Sequence, residues 1–172
     1  ARQGMPDLDW IFELGPRLMY YFTRFKDGGG IAIRASARGL FSTNVSSLAA
    51  RGFVMAPGFI LNSPDFFGPN QRLVAQINFN FADLGVMQYF YEVPAANVTA
   101  FRPAYSAQSG YMGTDINVGL GTPLNDSLRL TFYSRLSTYQ GATNQSSPLF
   151  RQSTGWSVGM FLLWSIHRSD EV

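Results

Sequence analysis

Residues 154–166 alternate between large apolar side chains and smaller ones. The even positions are all large and apolar: Trp156, Val158, Met160, Leu162, Trp164 and Ile166. Because successive side chains of a strand point to opposite faces of a sheet, this period of two predicts a strand. Trp156 and Trp164 share one face and lie about 20 Å apart along a membrane normal, if the strand is tilted by about 40°. Two aromatic girdles flanking a hydrocarbon layer would have this arrangement, so the pattern predicts the terminal strand of a transmembrane β-barrel.

The same alternation recurs along the chain and predicts an all-β protein. Seven strands of about 12 residues each are expected, long enough to cross a bilayer when tilted. They span residues 8–23, 31–42, 51–62, 71–82, 110–121, 127–138 and 154–166. The aromatic girdle candidates are Trp10, Tyr20, Trp156 and Trp164. A lipocalin-like barrel or a soluble sandwich would also alternate, but singly placed charges on the other face of these strands favour the membrane barrel.

Turn signals and loop lengths give the expected topology. If the C-terminus is periplasmic, the connections 139–153, 83–108 and 43–50 face outside, and those at 122–126, 63–70 and 24–30 face the periplasm. External loops of such barrels are the longer ones. Pro57 lies inside a predicted strand and is expected to cause a bulge or another irregularity. In strand 110–121, Met112 is expected on the apolar face and Tyr111 on the polar face.

Composition agrees with a protein whose outer surface contacts lipid. Charged residues make up 14% of the chain and aromatic residues 15%, against about 25% charged residues in an average soluble domain. Cysteine is absent, which excludes disulfides and thiolate metal sites. The net charge of +2 and the scattered basic residues give no reason to expect nucleic acid as a partner. We expect one domain over residues 1–172, with no transmembrane helix, since no apolar run approaches 18 residues.

Charged residues on the polar face of the strands are candidates for the barrel lumen. They are Glu13, Arg17, Arg34, Arg38, Arg72, Asp115, Arg129 and Arg135. Buried charges must be paired or hydrated. These residues are either an anion-attracting channel or ligand vestibule, or a ladder of charges that fills and rigidifies a narrow barrel.

The long connection 83–108 contains aromatic residues and prolines. Tyr89, Tyr91, Arg102 and Tyr105 are its candidates for a binding surface on an external loop. The aromatic residues could equally fold inward as a plug or join the girdle.

The sequence offers no catalytic set and no cofactor-binding or metal-binding site. His167 is the only histidine. Residues 167–172 are expected to form a periplasmic tail in which this histidine is solvated. Ser165 is nearby in sequence, but no Ser-His-acid arrangement is expected. The glycines of residues 28–30 indicate a tight turn rather than a nucleotide site. A non-enzymatic protein is therefore expected.

Several segments, taken in order, resemble one family. They are Gly-Met-Pro-Asp at residues 4–7, Arg-Gly-Phe-Val-Met-Ala-Pro at 51–57, Tyr-Phe-Tyr-Glu-Val-Pro at 89–94, Arg-Pro-Ala-Tyr at 102–105 and Ser-Pro-Leu-Phe-Arg at 147–151. They are similar to the MipA/OmpV family of outer-membrane proteins, named for a protein that interacts with a murein lytic transglycosylase. The resemblance implies a bacterial outer-membrane scaffold that links a murein hydrolase and a penicillin-binding protein in peptidoglycan assembly. The alternatives are a passive pore or small-ligand conduit with an arginine-rich lumen, or a structural subunit of a larger outer-membrane assembly.

Topology and the resemblance together predict a larger barrel. Family members have a signal peptide and further strands before the Gly-Met-Pro-Asp segment, and they commonly end on an aromatic residue, whereas this chain continues to Val172. Residues 1–6 lack an apolar segment of the kind found in signal peptides. Barrels of this kind have an even number of strands, with both termini in the periplasm. We therefore expect at least three strands before Ala1, giving a barrel of ten or more.

Overall fold

The computed structural model describes residues 2–26, 28–44 and 46–166. It is nearly all β, which confirms the predicted fold class. The elements in chain order are β1 (Trp10–Leu14), β2 (Arg17–Arg24), β3 (Gly30–Thr43), β4 (Leu48–Ser63), β5 (Arg72–Ala82), helix α1 (Leu84–Tyr91), a 3-10 turn (Ala95–Asn97), β6 (Gly110–Pro123), β7 (Leu128–Thr138) and β8 (Thr154–Trp164). Each of β3 to β8 contains most of one strand expected from the alternation.

The strands form one antiparallel sheet that curves into a half-barrel. From β3 to β8 the strands pair in sequence order, and β1 and β2 both pair with β3. The single strand expected over residues 8–23 is therefore wrong. Gly15 and Pro16 interrupt it, because Pro16 has no N–H to donate, although the carbonyl oxygen of Pro16 still accepts a hydrogen bond from the Ala37 N–H at 3.2 Å. The register with β3 is the same on both sides of the break.

The expected bulge at Pro57 is absent, because the register between β3 and β4 continues through the Ala35–Pro57 pair. The ladder between β4 and β5 nevertheless skips Ala56 and Pro57, so the pairing is irregular there without a shift in register. The register shift of β4 lies instead near Arg51, between the pairs made by Leu40 and Phe41.

A second register shift, in β6, reverses the faces expected for two residues. The shift lies between the partners of Asn80 and Phe81. Tyr111 consequently lies beside Phe81, with ring centroids 5.6 Å apart, and Met112 packs against the buried cluster below α1. An extra residue in one strand moves all earlier side chains to the opposite face. Period-two counting across a bulge therefore assigned Tyr111 and Met112 to the wrong faces.

The two faces of the sheet have the reverse of the burial found in soluble proteins. Polar residues such as Arg34, Ser36, Asn78 and Ser137 are buried on one face, called here the polar face. Large apolar residues are exposed on the other, the apolar face; they include Ile33, Phe53, Met55, Phe59, Phe132, Leu136, Val158, Met160 and Leu162. A contiguous apolar surface of this extent requires an apolar environment. This pattern fits a membrane barrel and does not fit a soluble sandwich.

The four girdle candidates are all strongly exposed on the apolar face. Trp10 pairs with Thr43 near the 44–47 connection, and Trp164 pairs with Leu128 at the opposite end of the sheet. The Trp156 indole donates a hydrogen bond to the Ser134 hydroxyl at 2.9 Å. Aromatic residues thus lie toward both ends of the strands, as a girdle assignment requires.

Among the described residues, no helix has the length and apolar character needed to span a membrane.

Helix α1 (Leu84–Tyr91) lies in the long connection 83–108, for which the sequence pattern predicted no secondary structure. Asp83 is the N-cap, and its carboxylate accepts a hydrogen bond from the Val86 N–H at 3.0 Å. The same carboxylate packs against Gly52, whose positive φ of 134° and missing side chain make room for it. Only eight residues long, the helix is too short to be stable alone. Its stability depends on packing against the sheet, and no local sequence pattern predicts this packing.

Candidate functional site

The polar face of the sheet is the concave one. Arg34 on β3 donates a hydrogen bond to the Gln76 side chain on β5, across the intervening strand β4. Such a contact requires the sheet to curve toward this face. By strand register, all eight residues expected in the lumen lie on the polar face, as do Gln76, Asn78 and Asn117.

Two of the described ion pairs join expected lumen residues. The Arg38 guanidinium lies 2.6 Å from the Glu13 carboxylate and ties β3 to β1. Arg135 lies 2.8 Å from Asp115 and ties β7 to β6. Asp115 also accepts hydrogen bonds from Asn80 at 2.9 Å and from Ser137 at 2.6 Å. This part of the face is a paired ladder, as the filling alternative predicts.

Other arginines of the polar face have only neutral partners in the described chain. Arg34 is 7% exposed and contacts Gln76. The Nε of Arg34 and the Oδ1 of Asn78 are buried without a hydrogen-bond partner among the described residues. Arg72 donates to the Asn62 side chain at 2.7 Å, and Arg129 donates to the Asn70 carbonyl oxygen at 3.4 Å. Around Arg34, Arg72 and Arg129, positive charge therefore exceeds negative charge among the described residues, as the anion-attracting alternative requires.

The loop end of the sheet, defined by the connections 44–47, 83–109 and 139–153, is covered by α1. Val86 and Met87 are fully buried, together with Leu40, Val54, Ala82 and Ala107. Leu40, Val54 and Ala82 are polar-face positions of β3, β4 and β5 by register. The helix therefore folds into the concavity as a plug.

The four loop residues expected to bind a partner are mostly engaged within this plug. Tyr91 and Tyr105 pack against its buried cluster. Arg102 is 6% exposed and donates hydrogen bonds to the carbonyl oxygens of Asn97 and Gln3, both at 2.9 Å. The Tyr89 hydroxyl accepts a hydrogen bond from the Asp9 N–H at 2.9 Å. These contacts favour the plug over an external binding surface.

Sequence reasoning missed two polar clusters that hold the plug. Asn144, 1% exposed, accepts hydrogen bonds from the Tyr105 hydroxyl at 3.1 Å and the Gln108 N–H at 2.9 Å. Arg51 lies 3.4 Å from the Asp9 carboxylate, donates to the Ser42 hydroxyl at 2.7 Å, and stacks 4.4 Å above the Tyr89 ring. Asn144 lies in a predicted loop and Arg51 begins a predicted strand, and no local signal separated either residue from exposed polar ones.

Burial, with a smaller contribution from Tyr139, raises the pKa of the Tyr91 phenol above its usual value of 10.0. Desolvation disfavours the charged phenolate, so Tyr91 stays neutral at physiological pH.

The described part of the chain contains no group of three or more histidine, aspartate or glutamate side chains placed to hold a metal ion. Ser165, in the same part, donates its N–H to the Ser127 carbonyl oxygen at 2.8 Å. His167 and the expected tail 167–172 lie outside the described residues.

The comparisons with known proteins point to one family. The model of the family described as MltA-interacting protein MipA matches residues 1–166. Searches of curated proteins and of solved structures found no significant match. The family match covers nearly the whole chain and agrees with the half-barrel and its reversed burial. The chain therefore belongs to the MipA family, which is of the outer-membrane type.

Proposed function

We propose that the protein is a non-enzymatic outer-membrane scaffold that holds a murein hydrolase and a penicillin-binding protein together during peptidoglycan assembly. The observation that carries the proposal is the match of residues 1–166 to a family described by its interaction with MltA. Family membership supports a scaffold-type role in general. The proposal includes the two enzymes as partners, a lipid bilayer around the apolar face and a periplasmic position of the turns.

The turn end of the sheet, defined by the connections 25–29, 64–71 and 124–127, is the proposed docking surface. Phe66 and Phe67 project from the middle connection, 52% and 66% exposed, with their rings edge to face at 4.7 Å. Their turn is held by a hydrogen bond from the Asn70 N–H to the Asp65 carboxylate at 2.6 Å. Exposed aromatic residues on a preorganised turn lose little entropy on binding, and such residues often dominate protein interfaces.

A pull-down from detergent extracts tests the scaffold. The full-length protein should retain both a purified murein lytic transglycosylase and a penicillin-binding protein. The double substitution F66S/F67S should reduce retention of at least one of them by about thirtyfold or more, since even one central aromatic residue of an interface contributes about 2 kcal/mol or more. The matched control is F101S, because Phe101 is 97% exposed at the loop end.

Failure of the wild-type protein to retain either enzyme would contradict the scaffold. If F66S/F67S and F101S reduce retention equally, the docking surface does not lie at the turn end.

A second candidate function is an anion-preferring conduit, favoured by the arginines of the polar face that have only neutral partners. The plug at the loop end opposes it, because α1 occupies the concavity. Planar-bilayer recordings separate the two. Steady anion-selective channels would support the conduit, and electrical silence would count against it.

A further inference from the structure

A cavity lies on the polar face beside the turn end, with a volume of about 670 Å³. Most of its lining comes from β5, β6, β7 and β8, and the rest comes from Asn62 of β4 and from Gly28, Pro64 and Asn70 of the turn end. Sites for small molecules usually measure about 300 to 1,000 Å³ and combine apolar surface with a few polar groups. This cavity has both kinds of lining and lies outside the region filled by the plug.

Arg72 and Arg129 both line this cavity, and their hydrogen-bond partners among the described residues are neutral. Arg72 pairs directly with Gly121, and the next strand places Arg129 against the other side of the same glycine. Gly121 has no side chain of its own to separate the two arginines, and the hydroxyl of Thr131, its partner on β7, borders the same position. The carboxylates nearest in sequence are Asp65 and Asp126, and no described carboxylate lies within ion-pair distance of either guanidinium.

Adjacent guanidinium groups repel each other, and a planar guanidinium binds carboxylate or phosphate oxygens through paired hydrogen bonds. Among the described residues, Arg72 uses one N–H to donate to the Asn62 side chain, and Arg129 uses one to donate to the Asn70 carbonyl oxygen. The described contacts therefore leave four of the five N–H donors of each arginine for an oxyanion.

The rest of the lining suits a sugar ring. Tyr133 and Phe161 are about half exposed on the concave face, with ring centroids 6.5 Å apart. Gly159 allows the Tyr133 ring to lie along β8, because any side chain there would overlap the ring. Gln76 and Asn117 line the same cavity. A sugar presents an apolar ring face together with hydroxyl groups, so it matches an aromatic surface bordered by amides.

We infer that this cavity binds an acidic saccharide, with the oxyanion between Arg72 and Arg129 and the sugar ring over Tyr133 and Phe161. Gly28, Pro64 and Asn70 of the turn end also line the cavity, but the inference does not require the scaffold proposal, since its oxyanion and sugar-ring contacts use neither Phe66 nor Phe67. The oxyanion can be a carboxylate, as on a murein sugar, or a phosphate, as on a lipid-linked sugar.

Isothermal titration of the full-length protein in detergent tests the site with four probes. They are N-acetylmuramic acid, N-acetylglucosamine 1-phosphate, neutral N-acetylglucosamine and inorganic phosphate. At least one acidic sugar should bind about tenfold or more tightly than both the neutral sugar and the phosphate, and the tighter acidic sugar identifies the source of the oxyanion. Binding should weaken with added salt, because screening reduces the attraction between charges.

Three variants and one control locate the binding. R72Q and R129Q should each weaken binding of the acidic sugar about tenfold. G121L keeps both arginines but places a side chain between them, and it should abolish binding. A Cβ at Gly121 meets its nearest neighbour at 3.4 Å, so the sheet tolerates it. The control R151Q removes an equivalent charge at the loop end and should bind as the wild type does.

Circular dichroism of each variant confirms that the strands are retained. Equal affinity for neutral and acidic sugars would overturn the inference, as would unchanged binding in both R72Q and G121L. Inorganic phosphate binding as tightly as the acidic sugars would overturn the role of the aromatic surface.

Discussion

Truncation of Met87 tests whether α1 is a packed plug. Met87 is fully buried between the helix and the sheet, and truncation of a buried methionine to alanine typically costs about 2 to 5 kcal/mol. An eight-residue helix has almost no stability of its own. The loss should therefore appear as local opening of residues 84–92 rather than as unfolding of the strands. Since each 1.4 kcal/mol is a factor of ten, a loss of about 3 kcal/mol corresponds to roughly 100-fold more opening.

Hydrogen exchange followed by mass spectrometry measures this opening directly. In M87A, amides of residues 84–92 should exchange on the order of 100-fold faster, while amides of β5 and β6 keep their protection. The control is L84A, because Leu84 belongs to the same helix but is 46% exposed, so its truncation should change exchange by much less. Equal protection of α1 in wild type and M87A would refute the plug. Equal acceleration in L84A and M87A would show that the burial of Met87 does not set the stability of α1, since alanine lowers helix propensity at neither position.

Two further outcomes concern the polar face and the loop end. D115N should lower the free energy of unfolding by about 1 to 3 kcal/mol in a urea titration, because the Asp115 side chain is 15% exposed and accepts charge-assisted hydrogen bonds from Arg135. E13Q should lower it by about 1 kcal/mol or less, because both side chains of the Glu13–Arg38 pair are 32% exposed. A larger loss in E13Q than in D115N would contradict the packing described. Because the pKa of Tyr91 is raised in the folded protein, its contribution to stability is fully present below the unfolded pKa of about 10 and is lost as pH rises through the folded value. Y91F should lose less stability than the wild type between pH 9 and 12 in parallel urea titrations, and identical profiles would show that the phenol is not desolvated.

The alternation of side chains along the chain was enough to predict most of the strands and most of their faces. Side-chain alternation is a local property of extended backbone, so residues such as Arg34 and Ile33 could be assigned to opposite faces without a structure. The same reasoning placed Trp156 and Trp164 on one face and separated a membrane barrel from soluble sheets. It failed at Tyr111, where a bulge changes the count, and at Pro16, where a missing N–H breaks the edge strand.

The pairing of charges and the filling of the concavity depend on tertiary contacts. Arg38 reaches Glu13, whereas Arg34 reaches Gln76, and the difference arises from register and from curvature across several strands. Met87 is buried because the connection 83–109 folds back onto β4, although its own segment is too short to define a helix. These contacts join residues far apart in the chain, and no local pattern encodes the position of both partners.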